Sequence, residues 1–117
     1  MTFMLPYPPT TNHAYAVSRG RKIKTMRARQ YAEHVHYAVR GARGSAPDLR
    51  GARLRVKIRM HAPDHRRRDL ANIEKLAVDA VFAALDLDDA QIDVLTLVRG
   101  SVDAGRPRLE FTIGAIP

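Results

Sequence analysis

Two short stretches of the sequence bring together side chains that could cleave a phosphodiester. The first reads Arg-Arg-Arg-Asp69-Leu-Ala-Asn72-Ile-Glu-Lys75, and the second reads Leu-Asp88-Asp89-Ala-Gln. Phosphodiester cleavage needs a hard divalent cation held by oxygen ligands, usually carboxylates. A nearby lysine can stabilise the charge that develops on the phosphate. The two stretches therefore offer the parts of a metal-dependent nuclease site around one predicted helix.

Each of these residues has a simpler explanation when it is taken alone. Asp69 lies where a helix begins, and a carboxylate there is commonly an N-cap. Asp88 and Asp89 fit a solvated loop, and Lys75 fits an exposed helix surface. The sequence contains no Gly-rich phosphate loop, nucleophile elbow or zinc signature. We interpret the five histidines as structural or surface residues: His13, His34, His36, His61 and His65.

The strongest bulk property is a positive charge of +8, from 20 basic and 12 acidic residues. Such a charge favours binding to a polyanion, although a solvated basic surface alone would also explain it. The acidic residues concentrate after residue 63, so a local acidic cluster lies within a basic chain. The predicted contacts to DNA phosphates are Arg21, Lys22, Lys24, Arg55, Lys57, Arg59, Arg66, Arg67 and Arg68.

Hydrophobic periodicity predicts the elements that position these residues. Alternation over Leu54–Met60 gives the clearest strand, with one apolar face and one cationic face. Helical spacing predicts helices over Thr25–Arg43 and Asp69–Leu85. The remaining predicted strands are Thr2–Tyr7, the hairpin Ala14–Val17 with Lys22–Lys24, Val94–Val102 and Arg108–Ile113. Together they predict one small domain over 1–117 of the α+β or mixed α/β class, with a mixed β-sheet and two main helices.

Composition also excludes several classes of protein. There is no cysteine, so disulfides and thiolate zinc sites are impossible, which fits a reducing cytoplasm. No apolar run approaches the roughly 18 residues that a membrane span needs. The N-terminus is too short and too rich in proline for a signal peptide. We therefore expect a cytoplasmic protein without contact to a membrane.

The joint pattern of motifs resembles that of the RusA-like Holliday junction resolvases. The run Met60–Lys75, the following Asp79-Ala and Leu87–Gln91 carry the resemblance, and Leu5–His13 looks like the opening motif of that family. The late strand over Arg108–Ile113 fits as well, so the resemblance covers essentially the whole chain. The joint pattern is far more specific than any of its pieces.

The resemblance implies a RusA-like fold and a symmetric homodimer that binds four-way DNA junctions. Each subunit would nick one strand with Mg²⁺, for which Mn²⁺ can substitute, and no small-molecule cofactor is expected. Members of the family occur largely in phages and prophages, which implies action in a bacterial or phage-infected cell, in association with the nucleoid. By the family's motif, Asp69 and Asp89 are metal ligands with Asp88 beside the latter, Lys75 is the catalytic lysine, and Asn72 is a supporting polar neighbour.

Ala71 departs from the motif, which has an aspartate at this position. A methyl group cannot bind a cation, so we expect the chain to bind DNA better than it cuts it. One explanation is a deliberate knockout, which we favour. The other is a natural divergent member in which Glu74 or Asp88 supplies the missing oxygen. Glu74 lies one turn beyond Ala71 but about 60° around the helix, which makes direct replacement awkward.

Two rival functions stay open at the level of sequence. A non-catalytic DNA-binding module, for junctions or single strands, explains the charge equally well and Ala71 better, but leaves the pattern of Asp69, Lys75 and Asp89 unexplained. An RNA-binding protein of ribosomal type would also be basic. The few aromatic residues count against recognition of single strands by base stacking.

Overall fold

The computed structural model describes residues 1–9, 15–18, 21–24, 26–43 and 47–117, and for 15–18, 21–24 and 43 the description covers the backbone only. The elements within these residues are β1 (Thr2–Pro6), β2 (Tyr15–Ser18), β3 (Arg21–Lys24), α1 (Met26–Arg43), β4 (Leu54–His61), α2 (Leu70–Leu85), a 3₁₀ turn (Asp89–Gln91), β5 (Ile92–Arg99) and β6 (Arg108–Ala115).

The strands form a mixed four-stranded sheet and a separate two-stranded hairpin. The order in the sheet is β1-β6-β4-β5, with β1 and β4 antiparallel to β6 and with β4 parallel to β5. The chain passes through α2 between the two parallel strands, as parallel pairing requires a long crossover. β2 and β3 form the predicted hairpin, although Ala14 lies outside the described residues. This architecture confirms the predicted α+β class with two main helices.

The alternation of apolar and charged residues along β4 decides which face of the sheet is buried. Its buried and exposed residues alternate as predicted: Leu54, Val56, Ile58 and Met60 are buried, and Arg55, Lys57 and Arg59 are exposed. Val35 of α1 and Val81 of α2 belong to the same hydrophobic cluster as the buried side of β4. Both helices therefore cover one face of the sheet, and the cations of β4 lie on the opposite face.

α1 begins at Met26 and is tied to the end of β1. The hydroxyl of Tyr31 donates a hydrogen bond to the carbonyl of Pro6 at 2.8 Å, and burial raises the pKa of this hydroxyl. The predicted first residue, Thr25, lies outside the described residues.

Among the helices described, none has both the length and the apolar character needed to cross a bilayer.

The predicted range of β5 is wrong at both ends. The apolar pattern predicts Val94–Val102, whereas the strand extends over Ile92–Arg99. Its pairing with β4 ends at Met60↔Arg99, so the partner strand sets the limit. The other predicted strand ends differ from the observed ones by one or two residues, which is the ordinary uncertainty of element boundaries.

Candidate active site

Asp69 is the N-cap of α2. Its backbone is extended, with φ −88° and ψ 116°, and its Oδ1 accepts a hydrogen bond from the backbone N–H of Ala71 at 2.9 Å. This bond satisfies one of the N–H groups that have no partner in the first turn of a helix. The side chain is exposed. The predicted entry of the helix at Asp69 is therefore confirmed.

An open cleft lies where α2 meets the edge strand β5, and we call it the α2 cleft. Its lining residues come from α2, from the 3₁₀ turn and from β5: Ala71, Glu74, Lys75, Val78, Asp79, Asp89, Ile92, Asp93 and Leu95. Four positions singled out in the sequence thus meet here, namely Ala71, Glu74, Lys75 and Asp89. The other predicted catalytic and metal-binding residues, Asp69, Asn72 and Asp88, are not part of the lining.

Asp88 has a structural task of its own. Its Oδ1 accepts a hydrogen bond from the backbone N–H of Ala90 at 2.9 Å, and its own backbone N–H donates to Oε1 of Gln91 at 2.9 Å. This capping box opens the 3₁₀ turn that carries Asp89. The Asp-x-x-Gln spacing is a sequence signal for such a cap, and our sequence interpretation overlooked it. Asp88 therefore fixes the backbone on which Asp89 enters the cleft.

Glu74 is half-buried in the α2 cleft. Burial raises the pKa of its carboxyl, the negative charges of Asp79 and Asp89 raise it further, and the positive charge of Lys75 opposes them. This electrostatic coupling indicates that the four charged groups share one local environment. Glu74 therefore lies in the same cleft as the position whose carboxylate is missing.

Asp79 and Asp93 line the cleft without having been predicted as site residues. Asp79 lies four residues after Lys75, so helical spacing alone places the two on the same side of α2. Asp93 is different, because its side chain pairs with Arg53 from the start of β4. The hydrogen bond from Arg53 holds the pKa of Asp93 below its usual range. No local pattern predicts this pairing across 40 residues.

The donor chemistry of the site fits a hard cation, but the number of donors does not. The acidic residues at the cleft and at the helix entry offer carboxylate oxygens, which Mg²⁺ prefers. Within the described part of the chain, however, no three residues among histidine, aspartate and glutamate come together in a group that could hold a metal ion. A methyl group at position 71 is consistent with this shortfall. With Ala71, the site thus lacks a complete set of metal ligands.

Comparison with known proteins assigns the sequence to a family. The family model for the endodeoxyribonuclease RusA matches residues 6–114. The chain belongs to the RusA family of endodeoxyribonucleases. The resemblance seen in the sequence motifs is therefore confirmed.

The similar proteins within the RusA family cover nearly the whole chain. The crossover junction endodeoxyribonuclease of Enterobacteria phage 82 is 41% identical over 112 residues, which are 93% of this chain and 89% of the relative. The proteins of the same name from Escherichia coli strain K12 and from Shigella sonnei strain Ss046 are each 40% identical, with the same coverage. These relatives are crossover junction endodeoxyribonucleases.

The three consecutive arginines of this RusA-family chain differ in their surroundings. Arg66 and Arg67 are exposed, whereas the side chain of Arg68 is only 15% exposed. Arg68 pairs with Asp64 at 2.7 Å, and its guanidinium carbon lies 5.7 Å from the centre of the Tyr7 ring. Arg68 thus holds the loop that precedes Asp69, and Arg66 and Arg67 are better placed to contact DNA.

Three of the other predicted phosphate contacts lie apart from the α2 cleft. Arg55, Lys57 and Arg59 lie on the face of the sheet that the helices leave open. The side chains of Arg21, Lys22 and Lys24 lie outside the description, although their backbone forms β3. Among the described residues, Arg55, Lys57 and Arg59 thus lie on the face of the sheet opposite the one that α2 covers.

The histidines that the structure describes fit structural or surface roles. His61 is buried, with Nδ1 2.9 Å from the carbonyl oxygen of Ser101 and Nε2 3.2 Å from Oε1 of Glu110. The three others that are described are exposed, and the fifth lies outside the described residues: His34, His36 and His65, and His13.

Proposed function

We propose that this chain is a structure-specific endodeoxyribonuclease of one domain that resolves four-way DNA junctions by paired nicks. The observation that carries the proposal is the α2 cleft, in which position 71, Lys75 and Asp89 lie together. It occurs in a chain that matches crossover junction endodeoxyribonucleases over 93% of its length. Relatives from a phage and from enterobacteria support action in the cytoplasm of a bacterial or phage-infected cell.

The cofactor in this proposal is Mg²⁺, for which Mn²⁺ can substitute. Asp69 and Asp89 would hold the ion with Asp88 beside them, and an aspartate at position 71 would complete the set. When bound, the ion activates water and neutralises negative charge on the phosphate. The form with Ala71 is expected to be inactive or weakened, because it lacks one of the ligands.

The remaining side chains of the site would bind and orient the DNA. Lys75 follows position 71 by one helical turn and lines the same cleft, so its ammonium group would stabilise charge on the scissile phosphate. Asn72 would support the ligand at Asp69 as a polar neighbour. The exposed Arg66 and Arg67 would contact phosphates of the bound DNA, and such contacts do not depend on sequence.

A homodimer would supply the two sites that paired nicks require. β5 pairs with β4 on one side, and among the described strands none pairs with its other side. Val94 and Leu95 of β5 are 39% and 41% exposed. An exposed apolar edge strand readily pairs with another chain. We therefore place the proposed dimer contact at β5, next to the α2 cleft.

The test is cleavage of a synthetic four-way junction in the presence of Mg²⁺, compared with a linear duplex of the same arm sequence. The parent protein with Ala71 should bind the junction and nick it slowly or not at all. Ala71→Asp should nick it on opposed strands, and Ala71→Asn serves as the matched control without the added charge. An inert Ala71→Asp protein that still binds the junction would remove the enzyme proposal.

A non-catalytic junction-binding module is the second candidate. The observation that favours it is the lack of a three-residue metal group among the described residues, together with Ala71. Titration with Mn²⁺ separates the two candidates. A pure binding module shows no metal site that depends on Asp69 or Asp89, even after Ala71→Asp restores the third carboxylate.

A further inference from the structure

The open face of the sheet carries a row of positive charges along its middle. Arg55, Lys57 and Arg59 are exposed at alternate positions of β4, so they span about 13 Å at the usual rise of a strand. In register, Lys57 lies between Thr112 of β6 and Thr96 of β5, and both threonines are exposed. We call the surface formed by these five residues the cationic sheet face.

Carboxylates form ion pairs with several other arginines of the chain but not with these three cations. Ion pairs with aspartates involve Arg50, Arg53, Arg66, Arg68 and Arg108. In the described residues no such pair involves Arg55, Lys57 or Arg59, and residues 10–25 and 43–46 contain no aspartate or glutamate. Glu110 is the register partner of Arg59, but its carboxylate contacts His61 at 3.2 Å. The charge of the cationic sheet face is therefore available to an external anion.

The cationic sheet face and the α2 cleft lie on opposite sides of the sheet. Val56 and Ile58 point into the cluster that contains Ala77 and Val81 of α2, so the residues between them point the other way. A straight duplex that covers the α2 cleft cannot also reach around the sheet. A branched DNA can present one arm to each side.

We propose that the cationic sheet face binds the phosphate backbone of one arm of a branched DNA while a different arm lies at the α2 cleft. This rests on the proposed function, because only a branched substrate has a second arm. The span of about 13 Å matches the axial rise of about four phosphates of one strand. A hydroxyl group such as that of Thr96 is a common donor to phosphate, whereas the hydroxyl of Thr112 already lies 3.2 Å from that of Thr2. A second copy of this chain fits this face less well, because a symmetric contact would oppose two sets of three positive charges.

The test compares two variants on two DNAs. The sheet-face variant combines Arg55→Thr, Lys57→Thr and Arg59→Thr, because threonine is favourable on an exposed strand. The loop variant combines Arg66→Gln and Arg67→Gln, in the loop that precedes Asp69. Fluorescence anisotropy over a series of NaCl concentrations gives the affinity for a four-way junction and for a linear duplex with the same arm sequence.

The affinity of the sheet-face variant for the junction should depend less steeply on salt concentration. Each phosphate contact contributes about 0.9 to the slope of log K against log salt, so three lost contacts lower its magnitude by about 2.7. The linear duplex loses less, because a duplex at the α2 cleft has no second arm to place on the cationic sheet face. The junction-to-duplex affinity ratio therefore falls. Combining both variants should lower the junction slope by the sum of the separate changes.

Two controls keep the result interpretable. Arg55→Lys with Arg59→Lys retains the charge and should retain the slope. Lys57→Thr alone should remove about one third of the effect if the triple variant does not fold. An unchanged junction slope, or an equal loss of affinity for junction and duplex, overturns the proposal for the cationic sheet face. If instead the unmodified chain shows no preference for the junction, the proposed function itself fails.

Discussion

Oδ1 of Asp69 accepts a hydrogen bond from the backbone N–H of Ala71 at 2.9 Å. The predicted metal ligand Asp69 therefore caps the helix turn in which Ala71 occupies the position of the second ligand. The bond uses one carboxylate oxygen and fixes the backbone of position 71 relative to Asp69. A carboxylate introduced at position 71 would therefore start from a backbone that is already in place. This relationship makes Ala71 the most informative position to change.

Ala71→Asp should raise the affinity for Mn²⁺ by roughly tenfold or more, because it adds a direct carboxylate ligand to the site. Isothermal titration calorimetry, or the electron paramagnetic resonance signal of unbound Mn²⁺, gives the affinity without any need for cleavage. Ala71→Asn is the control, since a neutral amide should gain much less.

The same titration decides whether Glu74 already replaces the missing ligand. We expect Glu74→Gln to leave the gain from Ala71→Asp largely intact, because Glu74 lies about 60° away around the helix. The prediction would be contradicted if the parent protein with Ala71 binds Mn²⁺ tightly and the Glu74→Gln variant loses this binding. It would show that the carboxylate of Glu74 serves as the third ligand.

Lys75→Met, made in the Ala71→Asp protein, should slow single-turnover nicking by about 10²- to 10³-fold, the usual effect of removing one group that stabilises a transition state. Affinity for Mn²⁺ and for the junction should change little, because Lys75 is not a metal ligand and contributes one charge among many. Lys75→Arg retains the charge and should recover part of the rate. An equal loss in nicking and in junction affinity would instead make Lys75 a binding residue.

The elements that depend on local pattern could be predicted from the sequence, and those that depend on distant partners could not. The alternation of β4 and the helical period of α2 are local signals, and both predictions are confirmed. The ends of β5 depend on its pairing with β4, which lies almost 40 residues earlier at Leu54↔Ile92. An apolar run cannot reveal where such a partner stops.

The candidate site shows the same limit. The positions of Lys75 and Asp89 in one cleft follow from motifs that the sequence displays. In contrast, the sequence presents Arg67 and Arg68 as equivalent neighbours. Only the contacts of Arg68 with Asp64 and with Tyr7, which is about 60 residues away, separate a structural arginine from an exposed one. Residue type alone carries no such information.

Asp64→Asn should destabilise the fold at neutral pH but not in acid. The hydrogen bond from Arg68 lowers the pKa of Asp64 below its ordinary value of 3.8. A carboxyl whose pKa is lower in the folded state contributes stability above its unfolded pKa, and this contribution is lost as pH falls through the folded value. Urea unfolding of the parent and the variant between pH 2 and pH 7, about the range in which a carboxyl titrates, measures the difference.

Arg68→Met is the partner variant, and Arg67→Met is its matched control at an exposed position. The loss with Arg68→Met should show the same pH dependence as with Asp64→Asn, and the double variant should lose little more than either single one, because the two residues form one pair. Arg67→Met should leave stability nearly unchanged. Additive losses for Asp64→Asn and Arg68→Met would show that the pair is not coupled.

Gly100→Ala should destabilise the protein by about 1–3 kcal/mol through overpacking. A Cβ at this position would lie 2.7 Å from Cε1 of His61, and that ring is held between Ser101 and Glu110. Gly114→Ala is the control on β6, because a Cβ there meets nothing within 4 Å. Thermal unfolding followed by circular dichroism measures both. Equal melting temperatures for the two variants would mean that the ring of His61 can move aside.

Val94→Lys combined with Leu95→Lys should convert the proposed dimer into monomers at micromolar concentration. Charges on an edge strand oppose pairing with a second chain, and burying two unpaired lysines would cost more than the apolar contact gives. Size-exclusion chromatography with light scattering measures the mass directly. Met4→Lys is the control, because Met4 is 46% exposed on β1 at the other edge of the sheet. A dimer that survives the β5 variant but not Met4→Lys would place the contact at β1, and a monomeric parent chain would remove the dimer proposal.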